Sequence, residues 1–112
     1  MEKKMTREEL IEKYENGERD FRGADLSGVD LKGAELRNAN LSGAELRDAN
    51  LEGADLSFAV LRYADLENAD LSFAVLRYAD LENADLERAV LKNANLEGVR
   101  VIIYGKKFIQ VE

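Results

Sequence analysis

The 112-residue sequence predicts an all-β solenoid, a rod of stacked chain turns around a narrow core, and three observations carry that prediction. A Leu recurs at every fifth position from Leu26 to Leu96, fifteen in succession, with Phe21 and Val101 extending the series. Ala stands two residues before each Leu from Ala24 to Ala94, with Val29 the single departure. A period of five fits neither the 3.6 of an α-helix nor the 2.0 of a continuous strand, so the helix-favouring Ala, Leu and Glu lose to the period. In each unit, Ala-(Asp/Asn/Glu)-Leu-X-X, the Ala and Leu share one side of a short extended piece, and the chain must then bend to turn the next pair inward.

Composition narrows the function classes. Sixteen basic against twenty-three acidic residues give a net charge of −7, which argues against direct nucleic-acid binding and favours basic or neutral partners. The chain has no Cys and no His, so disulfides, thiolate metal sites and the usual activated nucleophiles are excluded, and no cofactor or metal is expected. Ser27, Ser42, Ser57 and Ser72 lie beside carboxylates, but without a base they do not make an enzyme. No apolar run approaches the roughly 18 to 20 residues that span a bilayer. The opening Met1-Glu2-Lys3-Lys4-Met5 leads into a charged segment, so no membrane association and a cytoplasmic location are expected.

Units such as Ala24-Asp25-Leu26-Ser27-Gly28, Ala64-Asp65-Leu66-Glu67-Asn68 and Ala94-Asn95-Leu96-Glu97-Gly98 resemble those of the pentapeptide-repeat family. The resemblance runs over residues 19–98. It implies a right-handed quadrilateral β-helix with four units to a coil, so that every fourth centre residue stacks. Eighty residues then make about four coils, a rod near 19 Å long at a strand spacing of roughly 4.8 Å.

The flanks break the repeat and read as caps. Over residues 1–18, Thr6-Arg7-Glu8-Glu9 forms a capping box, Met5 and Leu10 occupy staple positions and Gly17 is a helix stop, predicting a helix over residues 7–15. Its apolar face of Leu10, Ile11 and Tyr14 is read as a lid on the first coil. Over residues 99–112 two β-rich runs flank Gly105-Lys106-Lys107, predicting a closing strand or hairpin that either caps the last coil or joins two chains as a homodimer through the C-terminal end.

Assigned to four faces in the family register, the outward residues form columns. One face carries Asp25, Glu45, Asp65 and Asp85 immediately before the Leu, with Asp48, Glu67 and Glu87 beside them, opposed by Arg47 and Arg88 alone. This is the candidate acidic interaction face, although such residues also bond local turn backbone. Phe58, Tyr63, Phe73 and Tyr78 take the second position after the Leu, where small or polar residues otherwise stand, and form a candidate aromatic contact band. Residues 57–71 recur as 72–86, a period of fifteen that rotates the copies by one face.

The leading expectation is a non-catalytic scaffold or protein-interaction module with an unidentified protein partner, monomeric or homodimeric. Two alternatives stand beside it. One, implied by the family resemblance, is a DNA-mimic regulator of a nucleic-acid enzyme such as DNA gyrase. The other is a consensus or engineered rod without an evolved partner.

Overall fold

The structure is a computed structural model that describes residues 4–101. Thirteen parallel bridges join residues twenty apart, from Asp20 with Asn40 to Asp80 with Arg100. One coil therefore consumes four five-residue units, and the solenoid has four sides. The bridged residue always stands immediately before a centre residue, so each side is a single bridge wide and the rest of the unit is corner.

The corner has one geometry throughout. Every second residue after a centre, sixteen of them from Gly23 to Gly98, has a positive φ between 58° and 69°. The next N–H donates back to the centre carbonyl, as from Ala64 to Leu61 at 3.1 Å, which is the signature of a type II turn. All five N–H groups of the unit at residues 64–68 find acceptors. Ala64 closes the corner, Asp65 donates down to Ala44 (2.9 Å), and Leu66 and Asn68 donate up to Asp85 (2.8 Å) and Glu87 (3.0 Å). The fifth, Glu67 N–H, donates to the Asp65 carboxylate at 3.1 Å. All eleven Asp and Asn residues at that position accept this bond, so the side chain supplies what the sheet cannot.

Inside, the Leu ladder is sealed: Leu26 through Leu76 are at most 1% exposed, and the Ala residues between them fill the remaining width. Each buried Leu contributes about 2 kcal/mol.

The N-terminal end is covered by α1, Arg7–Glu15. Thr6 and Glu9 make both halves of the capping box, and Gly17 and Glu18 donate to Tyr14 and Lys13 in a Schellman close. Leu10 is fully buried in the same core as the Leu ladder, with Met5, Ile11 and Tyr14 packed against it. The segment also answers the first coil's downward carbonyls, which have no coil beneath them. Met5 N–H donates to Asp25, Arg7 to Asp30 and Lys32, and the Tyr14 hydroxyl to Arg37. At the other end Val99 and Val101 still pack on the core and Arg100 still pairs with Asp80, while the expected C-terminal hairpin beyond them falls outside the described residues.

Leu66→Ala is expected to cost about 3–4 kcal/mol in chemical denaturation, and Leu66→Asp to leave no folded protein by circular dichroism. At Asp20 the exposed carboxylate is gripped by Arg22 through two 2.8 Å hydrogen bonds. Those side-chain bonds, with the Arg22 N–H, hold its pKa at about 2 against an ordinary 3.8. A depressed native pKa stabilises above the unfolded value, so this contribution is full above pH 3.8 and fades as pH falls through about 2. Arg22→Gln should return the NMR titration midpoint of Asp20 most of the way to 3.8; an unmoved midpoint would exclude Arg22 as the cause.

Candidate functional site

The rod's surface is decided at its corners. The left-handed region suits Gly, which supplies six of the sixteen corner residues, and Asn and Asp tolerate it. Five residues there have no such tolerance: Phe58, Tyr63, Phe73, Tyr78 and Arg88. A bulky side chain in this conformation costs of order 1–2 kcal/mol. Arg88 recovers part of that through hydrogen bonds to Glu67 (2.8 Å) and Asn68 (3.2 Å). Phe58 and Tyr78, one coil apart on one corner, stack with centroids 5.3 Å apart and planes 16° from parallel. Tyr78 also lies across Gly98, where a Cβ would come within 2.4 Å of its ring, and its hydroxyl bonds Glu97 at 3.1 Å.

Tyr63 and Phe73 have no such return. They stand on two other corners, 66% and 60% exposed, and neither meets another ring among the described residues. The four band residues are therefore not one continuous patch: two form a stacked pair and two project alone.

The acidic column is more occupied than its sequence suggests. Asp25, Asp65 and Asp85 each spend one carboxylate oxygen on their own turn. Arg47 pairs with Glu67 at 2.9 Å and reaches Asp65 at 3.7 Å, while Arg88 grips Glu67 at 2.8 Å and lies 3.9 Å from Glu87. Oxygens of Asp65, Glu67 and Asp85 converge within 4.8 Å, and these guanidinium groups pair with the first two. Glu45 and Asp48 are exposed and unpaired among the described residues. Ser57 is buried, and its hydroxyl donates to Asp55 at 2.6 Å, a structural role.

The fold also exposes a pattern that reading faces alone missed. Ion pairs climb the rod between residues twenty apart: Lys32 with Glu52, Arg47 with Glu67, Arg62 with Glu82 and Arg77 with Glu97. In the sequence the basic members, Lys32, Arg47, Arg62, Arg77 and Lys92, recur every fifteen, with Glu52, Glu67, Glu82 and Glu97 five residues behind each of the last four. The duplication noticed at 57–86 is thus the clearest stretch of a three-unit rule that begins near Ser27. Fifteen plus five makes one coil, so each Glu lands above the basic residue of the preceding copy. Each exposed pair adds at most about 1 kcal/mol, but the rule sets opposite charges over one another at these four places.

A four-sided coil with hydrogen-bonded corners and a Leu ladder defines a β-solenoid repeat protein. The profile for pentapeptide repeats matches in eight copies over residues 20–57, 39–72, 54–93 and 69–101, and the chain belongs to the pentapeptide-repeat family. It is similar to a pentapeptide repeat protein of the Arabidopsis thaliana thylakoid lumen, with 46% identity and a TM-score of 0.71 over 72% of this chain and 56% of that one. It is also similar to HetL of Nostoc sp. strain PCC 7120, a protein involved in heterocyst differentiation regulation, at 49% identity and a TM-score of 0.70 over 71% of this chain and 37% of that one. Rfr23 of Cyanothece 51142 aligns at 34% identity and a TM-score of 0.50 over 74% and 60%. The chain thus spans about half or less of the first two proteins. No curated protein sequence matched. One relative resides in a thylakoid lumen, so the family does not fix a compartment; among the described residues no helix is long and apolar enough to cross a membrane.

Replacing Tyr63 or Phe73 by Gly should stabilise the fold by about 1 kcal/mol through relief of the left-handed corner. Phe58→Gly should gain less, because it forfeits a ring stack worth about 0.5–1.5 kcal/mol. Thermal melts of the three variants test the order; equal shifts would show that the stack contributes nothing.

Proposed function

We infer that the chain is a non-catalytic protein-interaction module, a rigid rod with the right-handed winding of its family, which meets a protein partner through its aromatic corners. The observation that carries this reading is the placement of Tyr63 and Phe73. Each large ring occupies a backbone conformation that disfavours it, is mostly exposed, and meets no other ring in return. Strain held at the surface without internal compensation is characteristic of functional positions. Aromatic side chains are also the commonest anchors of protein contacts.

The DNA-mimic alternative draws on the column of Asp25, Glu45, Asp65 and Asp85. It is the weaker reading because Arg47 and Arg88 stand within that face and pair with Asp65 and Glu67. Positive groups standing beside the column weaken the phosphate-like field that mimicry depends on.

Two variants separate the readings while preserving the fold. In the first, Phe58, Tyr63, Phe73 and Tyr78 become Asn, which tolerates the corner. In the second, Asp25, Asp65 and Asp85 become Asn, which keeps the turn bond, and Glu45 becomes Gln. With both matching the parent in circular dichroism, quantitative affinity capture should lose its partners in the corner variant and keep them in the face variant. The reverse pattern would establish the acidic face as the contact.

A further inference from the structure

We propose that the corner at Tyr63 is a docking slot for an arginine side chain of a protein partner. The inference rests on the reading of the aromatic corners as contacts and names what one of them takes.

The fifteen-residue rule supplies the comparison. It relates Tyr63 to Tyr78 and Gly43 to Phe58. Tyr78 has the Phe58 ring beneath it at 5.3 Å, whereas the residue one coil beneath Tyr63 is Gly43. A Cβ placed on Gly43 would meet no atom within 4 Å, so the place from which Phe58 projects beneath Tyr78 is open beneath Tyr63.

A second substitution accompanies the first. Two residues after Phe58 stands Val60, and two after Gly43 stands Glu45. The Glu45 carboxylate is exposed and has no hydrogen-bond or ion-pair partner among the described residues. An aromatic ring over an open corner, with an unpaired carboxylate two residues along the coil beneath, is complementary in register and charge to a flat cation. A guanidinium group stacks on the ring and donates in a fork to the carboxylate, whereas an ammonium group offers no plane. The molecule makes the stacking half of this contact itself, with the Arg19 guanidinium carbon 3.6 Å above the Tyr14 ring.

Phe73 provides the contrast. Gly53 lies one coil beneath it and is equally open, but the acid two residues on, Asp55, already accepts from Ser57 and pairs with Arg37 at 3.8 Å. Of the two vacant corners, only the one at Tyr63 has an uncommitted charge. The net charge of −7 adds a long-range attraction for a basic segment.

The test titrates the full chain with a Gly-Arg repeat peptide and with a Gly-Lys peptide of equal charge, reading the Tyr63 ring and Glu45 carboxyl signals by NMR. The arginine peptide is expected to produce saturable shifts at both and to bind at least about fivefold more tightly than the lysine peptide. Tyr63→Asn and Gly43→Phe, which rebuilds the Phe58–Tyr78 pair, should each weaken it about tenfold, and Phe73→Asn less than about twofold. Glu45→Gln removes the charge without touching the corner and should weaken binding even if Gly43→Phe folds poorly. Absence of saturable shifts, or equal losses for Tyr63→Asn and Phe73→Asn, would overturn the slot. Partner capture lost in the four-corner variant but untouched in Gly43→Phe would sink the slot and leave the contact reading standing. Arginine binding at Tyr63 alongside capture indifferent to the corners would support the slot and sink the contact reading.

Discussion

Everything in this rod depends on the corner closing in two residues. A chain that must turn on every fifth residue has no room for a long ladder of its own, so each backbone donor is assigned individually. Three N–H groups of a unit go to neighbouring coils, one closes the turn, and one is met by the Asp or Asn beside the centre. The left-handed second corner residue makes this arrangement possible. The stacked Leu residues are its result as much as its cause, because only this corner brings centres twenty residues apart into line.

The same constraint explains the division of labour along the surface. Asp and Asn before the centre are bound to the turn and only secondarily carry surface charge. The following position is free and holds the ion pairs that tie one coil to the next. The second corner position carries the steric cost, so a large side chain there needs an explanation in contacts. Phe58, Tyr78 and Arg88 have one inside the molecule, and Tyr63 and Phe73 do not.

Much of this was legible in the residues alone. The period of five forced a solenoid, and Thr6, Glu9 and Gly17 marked α1 because capping is a local geometry that the sequence states directly. The four-unit coil could not come from the period, which is compatible with any number of sides; it came from resemblance, and the bridges twenty residues apart establish it here. The candidate sites were legible only as positions. Phe58 and Tyr78 were placed together by counting, but the strain on the aromatic corners depends on φ, which composition does not reveal. The acidic face looked barer than it is because Arg47 reaches a coil above its own, a distance no single unit displays.

The three-unit charge rule wound on a four-unit coil also sets the increments by which such a chain can grow. Inserting five residues preserves the Leu core but breaks the matching of Arg to Glu. Inserting fifteen restores the matching and leaves every later residue a quarter turn out of its former direction. Sixty residues, three full coils, are needed before both charge and direction recur. A slip of fifteen during copying of the gene is thus electrostatically silent, yet it swings the far end of the rod to face a new side.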